Sequence, residues 1–385
     1  MHQSFLRMQI LPHFEFGWPL LVFCLFTLFI CVNLFFTLFV YGRFAFFKQK
    51  KEALEINYPP LSVILAARNE SDNLYENLPI ILEQDYPEFE VIIINNQSTD
   101  DSTYLLEAIA QQYSNLRVIE VMKNQHLKPG KKLSITLGVK GAKFEHLILT
   151  DADCRAASRN WLKSIAENFS NEKQIILGYG PYKKEKGFLN RLIRFDTTWI
   201  GMNYFSMALA KLPYMGVGRN LAYTKTVFNS VSGFKSHYYL PSGDDDLFIQ
   251  ETAKNNNYTI AIKADSFCYS EGHTSWKSWM RQKTRHFTTT DKYNVIKKWM
   301  LGIYPLSLLL MLISFVTLLI VTDYKLVALF VFLPVLLLKW WIQARCFFKL
   351  QAQKFIPYLP LWDLFYAFVM PVIYYSTDKK KKTKW

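Results

Sequence analysis

The chain has 385 residues, 51% of them hydrophobic and 16% aromatic, with 45 Lys and Arg against 31 Asp and Glu. That composition excludes a disordered chain, and the length excludes a disulfide-stapled miniprotein, so one or two folded domains are expected. The net charge of +14 is unevenly spread: residues 51–150 hold 9 basic and 14 acidic side chains, whereas residues 151–300 hold 22 and 13. The excess adjoins apolar runs, which points to a membrane surface or an anionic substrate and away from nucleic acid, for which no reader motif is present. Cys24, Cys31, Cys154, Cys268 and Cys346 form no CxxC pair. They read as buried thiols, with neither a zinc site nor a disulfide framework.

From Phe16 to Gly42 there is no charge, and the 23 residues from Pro19 to Tyr41 are apolar or weakly polar. That is enough helix to cross about 30 Å of hydrocarbon. A cleaved signal peptide would have a shorter apolar region ending in small residues, so a transmembrane anchor is predicted. Arg43, Lys48, Lys50 and Lys51 follow the anchor and only Arg7 precedes it. The positive-inside tendency then places residues 43–300 in the cytoplasm, with the N-terminus outside. Sequons at Asn69, Asn96, Asn168 and Asn257 would stay unmodified there.

Beyond Leu61, short β-rich runs alternate with helical stretches: Leu61–Ala67, a helix to about Gln84, Val91–Ile94, a helix over Ser102–Tyr113, Arg117–Val121, a helix after Gly130, and His146–Thr150. This spacing predicts a parallel sheet with helices on both faces, and such sheets bind ligands at the carboxyl ends of their strands. Polar residues cluster at those ends: Arg68, Asn69 and Glu70, then Asn95 to Asp101, then Asp151 to Asp153. Asp151 and Asp153 have the spacing to hold a hard divalent cation that bridges a diphosphate, although a lone DxD is equally a solvated turn or a helix N-cap.

Asp244, Asp245 and Asp246 follow Gly243 and open a helical pattern. One of them can cap that helix, and mutual repulsion should raise the pKa of at least one, making it a proton acceptor near neutral pH. Gln282 and Arg285 share a face of the stretch 275–290, where an arginine can clamp the oxygens of a leaving diphosphate. The tryptophans and basic residues of the same stretch also fit a helix lying on headgroups. His273 and His286 read as hydrogen-bonded structural residues rather than metal ligands.

Uncharged Trp299–Thr322 and the run Leu326–Ile342 predict a membrane hairpin, with Lys339 snorkelling to an interface. Phe355–Tyr375 contains Pro357, Pro360, Asp363 and Pro371, which favours a broken or interfacial helix. The basic tail Lys379–Lys382 with Lys384 prefers the cytoplasmic side and fits that version. The expected division is an anchor and linker over 1–57, a polar domain over 58–298, and membrane or interfacial helices over 299–385.

Taken in order, Ser62–Glu70 (SVILAARNE), Asn95–Ser102 (NNQSTDDS), Gly130 with Lys131 and Lys132, Asp151–Asp153 (DAD), Gly216–Tyr223 (GVGRNLAY), Gly243–Leu247 (GDDDL) and Gln282–His286 (QKTRH) form a series. The series resembles the membrane-bound family 2 glycosyltransferases, the group that includes cellulose, chitin and hyaluronan synthases and ceramide glucosyltransferases, over about residues 58–290. The resemblance implies an α/β fold of the GT-A, Rossmann-like type, in a multi-pass protein of a cell's inner membrane. It implies Mg2+ or Mn2+ on Asp153, with Asp151 nearer the donor nucleotide, and Asp245 as catalytic base beside Asp244. Gln282 and Arg285 would face the leaving diphosphate. Ala67, Glu70, Asn96 and Lys131 would contact the nucleotide, and Gly218, Arg219 and Asn220 the donor sugar and acceptor.

Two departures bear on substrate. Asn95 and Asn96 stand where the family usually has Asp, and an Asn can still accept a hydrogen bond from a uracil N–H. His286 replaces the indole on which a growing sugar chain rests in processive synthases. The expected reaction is inverting transfer of one sugar from a nucleotide-sugar, of the UDP type, to a lipid or lipid-linked acceptor at the cytoplasmic face. A processive polysaccharide synthase and an inactive nucleotide-binding scaffold are the alternatives. Membrane lipids are expected partners, with the stretch Lys183–Phe195 resting on anionic headgroups. The sequence carries no sign of the oligomeric state.

Overall fold

The computed structural model describes residues 17–49, 57–123 and 130–376. The basic residues Arg7, Lys50, Lys51, Lys379–Lys382 and Lys384, on which the orientation argument partly rests, lie outside these ranges. Helix α1 (Trp18–Phe35) continues through a π-turn (Phe36–Tyr41) into the short α2 (Gly42–Ala45). The polar part then runs β1 (Leu61–Ala67), α3 (Ser71–Leu82), β2 (Phe89–Asn96), α4 (Ser102–Ala110), β3 (Leu116–Val121), α5 (Lys131–Gly141), β4 (His146–Asp151), β5 (Cys154–Ala156) and α6 (Trp161–Ala166). It continues with β6 (Ile175–Leu177), α7 (Phe188–Leu209), β7 (Leu221–Thr224), α8 (Lys225–Ser230), α9 (Asp246–Thr252), β8 (Tyr258–Ile260), β9 (Cys268–Ser270) and α10 (Trp276–Thr290). The chain ends in α11 (Val295–Val321), α12 (Lys325–Lys349) and α13 (Leu359–Ser376).

Seven strands form one sheet in the order β3-β2-β1-β4-β7-β6-β8, and β5 pairs with β9 in a small second sheet. The first four strands of the order are parallel, as the alternation of strand and helix predicts. In that register Ala66 lies opposite Asp151 and Ala67 opposite Asn95, so the polar ends of β1, β2 and β4 share one edge. Alternation of side chains along each strand supplies both faces. Ile64, Ile92 and Ile94 enter one core, while Val63, Leu65, Val91 and Ile93 enter the other. At Gly138 on α5 an added Cβ would come within 2.5 Å of Ile64 Cγ2, so the glycine sets how closely this helix approaches the sheet.

The sheet is mixed rather than wholly parallel. β7 pairs antiparallel with β4 and with β6. Leu221 pairs with Leu149 and Thr224 with His146, which puts the loop before β7 at the carboxyl end of β4. That placement serves the site, because the loop is Gly216–Asn220.

Four helical segments are long and apolar enough to cross a membrane: Trp18–Ala45, Val295–Val321, Lys325–Lys349 and Gln353–Ser376. The fourth is not broken as its prolines suggest. Pro357 sits in a 3-10 turn (Gln353–Tyr358) and Pro360 in the first turn of α13, positions where a missing N–H costs little. Lys339 does not snorkel either. It is buried and ion-paired with the equally buried Asp363 of α13, which also accepts a hydrogen bond from Tyr304 at 3.0 Å. Each charge removes the cost of burying the other, so the two residues that looked adverse to spanning helices cancel. Asn33 of α1 donates to Ser307 of α11 at 3.1 Å, a further polar tie between the anchors.

Lys339→Met should leave Asp363 buried without its counter-charge and lower stability by about 3–5 kcal/mol, while Lys339→Met with Asp363→Leu recovers most of the loss. Thermal unfolding of the detergent-purified chain checks this, and identical melting curves for the three proteins would deny the pair a role.

Candidate functional site

The shared strand edge, the Gly216–Asn220 loop and α10 enclose a cleft of about 340 Å³. From the edge come Asp151, the last residue of β4, and Asp153 two residues on. From the N-terminus of α5 comes Lys131, whose ammonium lies 2.6 Å from Asp151 Oδ1 and 3.6 Å from Asp244 Oδ2. These carboxylates, joined by Asp245, raise the lysine's pKa against the opposing effect of desolvation. Its neighbour Lys132 points away, donating to the carbonyls of His237 (2.6 Å) and Leu240 (3.2 Å), and burial lowers it to about 8. Of the adjacent lysines, Lys131 alone lines the cleft.

The three acids after Gly243 have three different fates. Asp244 pairs with Lys131. Asp246 turns inward and accepts from Thr289 (2.5 Å) and Tyr293 (2.7 Å), tying the start of α9 to the end of α10. Asp245 is half-buried on the cleft wall, accepting from the backbone N–H of Gly218 at 3.1 Å and of Asp246 at 2.8 Å. Desolvation and then the charges of Asp244 and Asp246 push its carboxyl up to about 7, with Lys131 and the Gly218 N–H opposing. Asp245 is therefore the helix cap and also the carboxylate with a proton affinity near neutrality.

Asp151, Asp153 and Cys154 place one donor atom each within 4.8 Å of one another. The Cys154 thiol is buried, bonded to Ser270 Oγ at 3.0 Å, and pushed up by desolvation, so it stays protonated. The available donors are thus two carboxylates, hard oxygens that fit Mg2+ or Mn2+ with room left for the oxygens of a diphosphate. Desolvation and Asp151 hold the Asp153 carboxyl above its usual range, with Arg219 only partly offsetting them. A nearby cation would relieve this imbalance.

Gln282 and Arg285 do share the cleft-facing side of α10, together with Ser278 and Arg281. Ser275 caps this helix by accepting from the Ser278 N–H. Its opposite face carries Lys283, which forms a buried ion pair with Asp196 of α7, and Asp196 also accepts from Tyr366 of α13 at 2.8 Å. The cleft-facing residues are therefore held from behind by the polar domain and by the apolar helix α13. His286 lies at the rim of the same cleft, where the resemblance expected an indole.

Tyr182 was not foreseen from the sequence. Its hydroxyl accepts from Gln282 Nε2 at 2.9 Å and from Arg219 at 3.0 Å, and the Arg219 guanidinium lies 4.4 Å above its ring. Arg219 is further fixed by the Gly180 carbonyl at 3.1 Å. Only pairing of the segment 180–182 with β9 brings this tyrosine to the cleft, as the Tyr182–Ser270 bridge records. His273 and Glu271 reach the cleft by the same route.

Asn220 departs from its expected role. It is buried and turned inward, donating to the carbonyls of Tyr179 and Ser266 at 2.8 Å and accepting from Trp161 at 3.2 Å. It holds the loop from within, and a backbone turn at Gly218 and Arg219 faces the cleft instead. Ala67, Glu70 and Asn96 lie at the same sheet edge but do not line the cleft. Asn96 donates to Ser134 at 2.9 Å, and its buried Oδ1 has no partner among the described residues. Asn95 is fully engaged by Thr103 and Glu120 and by Ser98.

Known proteins share both the sequence pattern and the fold. The chain is 30% identical over 93 residues to a poly-β-1,6-N-acetyl-D-glucosamine synthase of Staphylococcus epidermidis, a stretch covering 24% of this chain and 21% of that protein. It is 27% identical over 161 residues to a 4,4'-diaponeurosporenoate glycosyltransferase of Staphylococcus aureus, covering 41% of each. The matched stretches thus span well under half the length of these curated relatives. The mannosyltransferase PcManGT of Pyrobaculum calidifontis, solved with GDP-mannose and Mn2+, superposes with a TM-score of 0.54 at 17% identity, covering 89% of this chain and 99% of that one, a likeness of fold. Residues 62–228 match the glycosyl transferase family 2 pattern, and residues 146–370 match glycosyl transferase family group 2. With more than half of its length in that second match, and the GT-A sheet and carboxylate-lined cleft in place, the chain belongs to the family 2 glycosyltransferases.

Proposed function

We propose that this protein is an inverting glycosyltransferase that moves one sugar from a nucleotide-sugar, of the UDP type, to a hydroxyl of a lipid or lipid-linked acceptor at the cytoplasmic face of a membrane. The observation that carries this reading is the convergence of Asp151, Asp153, Asp245 and Arg285 on one cleft. The cleft's α10 wall is bonded to a membrane helix through Asp196 and Tyr366.

In the reaction so read, Asp245 accepts the proton of the acceptor hydroxyl as its oxygen attacks the anomeric carbon. The bond from that carbon to the diphosphate oxygen breaks on the opposite face, and the electron pair leaves with the nucleoside diphosphate. A single displacement inverts the anomeric centre. Mg2+ or Mn2+ held by Asp151 and Asp153 would supply Lewis-acid charge to the diphosphate. Arg285 and Lys131 place fixed positive charge at the same group, and Gln282 steadies Tyr182 and through it Arg219. The exposed His286 provides no indole platform, which supports transfer of one sugar over polymer synthesis.

Purified full-length protein incubated with a panel of nucleotide-sugars and a membrane lipid extract should give a lipid whose mass grows by one sugar. Ladders of added sugars would favour the polysaccharide synthase instead. Asp245→Asn should cut turnover by about 10²–10⁴-fold while nucleotide binding survives, and undiminished turnover removes Asp245 as the base.

Because the active form of Asp245 is the deprotonated one and its pKa is raised to about 7, turnover should climb as pH rises through that value and fall off below it. A pH–rate profile flat from about 5 to 8 would contradict the assignment. Chelation should abolish transfer and added Mn2+ or Mg2+ restore it, with Asp153→Asn raising the metal concentration needed; transfer indifferent to chelation would remove the metal from the reading.

A further inference from the structure

A second cavity, of about 810 Å³, lies apart from the cleft between the start of α7 and the start of α13. Lys184, Lys186, Arg191, Arg194 and Lys354 line it, against a single carboxylate, Glu185. None of the five cations is ion-paired among the described residues. Lys184 is within hydrogen-bonding reach of Lys354, and this like charge lowers its pKa.

Backbone geometry adds to the field. The 22-residue α7 begins here with no side chain capping its first turn, behind Gly187 at φ +103. Its free N–H groups and dipole end therefore face the cavity's basic side. The approach is preformed, because Asn190 accepts from the Glu185 N–H at 3.0 Å and donates to the Lys183 carbonyl at 3.1 Å.

The other wall is apolar and continues into a membrane helix. Phe188 stacks on Trp362, and exposed Tyr358, Leu361 and Phe365 extend the wall along α13. A soluble anion has no use for that wall, and a neutral lipid has none for the cations. We propose that this cavity is a binding site for a membrane lipid with a phosphate-bearing, negatively charged headgroup: the cations and the α7 terminus take the phosphate, and the chains lie along Leu361 and Phe365. The site is separate from the catalytic cleft. Two links join them: the chain segment from cleft-lining Tyr182 to Lys184, and α10, whose Trp276 packs on Phe188 six residues, or about 9 Å of helix, before Gln282.

The test uses the full chain in phosphatidylcholine vesicles with or without phosphatidylglycerol, reading retained lipid by native mass spectrometry after transfer to detergent. Wild type should retain phosphatidylglycerol over phosphatidylcholine. Arg191→Gln with Lys354→Gln should weaken that retention about 25-fold, taking about fivefold per cation beside an anionic headgroup. The charge-conserving pair Arg191→Lys with Lys354→Arg should restore it, and both variants should melt as wild type does. Equal retention of the two lipids, retention unchanged by the Gln pair, or failure of the charge-conserving pair to bind would overturn the proposal. So would displacement of the lipid by inorganic phosphate at matching concentration, which would make the cavity a small-anion site. None of these readouts depends on sugar transfer.

Discussion

The arrangement of the site depends on one ammonium group. Asp151, at the end of β4, and Asp244, in the turn before α9, are separated by more than ninety positions, and their carboxylates would repel across the cleft. Lys131 lies between them. As the first residue of α5 it is a cation at the positive end of a helix dipole, the less favourable place for it, so its position is explained by the acids it serves rather than by the helix that bears it. With that charge in place, Asp244 is neutralised and Asp246 is satisfied by Thr289 and Tyr293. Asp245 is the remaining acid, facing the cleft and holding its proton more tightly than an ordinary carboxylate.

The antiparallel entry of β7 is the second requirement. A parallel strand beside β4 would deliver its following loop to the polar edge only after a crossover. β7 instead brings its preceding loop there directly, and Gly218 meets Asp245 with a backbone N–H. α10 then closes the cleft while its other faces are bonded to Asp196 and Asp246. One helix thus links the polar strand edge, the acid cluster and the apolar helix α13.

Much of this was legible in the sequence. The buried runs of β1, β2 and β4 are long and continuous, so their ends could be located, and the DAD, GDDDL and QxxR groups fall together as their order implied. Three-residue strands such as β6, β8 and β9 are too short to show a period, and with them went Tyr182, which reaches the cleft only because β9 is where it is. Asn220 misled because a polar residue inside a motif loop looks functional, whereas it satisfies two buried carbonyls. Taken alone, Lys339 reads as a side chain that snorkels to an interface and Asp363 as a mark of a broken or interfacial helix. Their pairing spans twenty-four positions and is visible only in three dimensions.

One core reaches from the sheet into the apolar helices α11, α12 and α13. Phe195 stacks on Trp362 and packs on Phe347, and Trp199 meets Tyr304 and Tyr366. A chain cut before α11 would strip these aromatic rings of their cover and present them to water as one contiguous sticky surface. Soluble expression of the polar domain alone would therefore yield aggregate unless those positions were redesigned, and the practical unit of this protein, for purification as for folding, is the domain with its apolar helices attached.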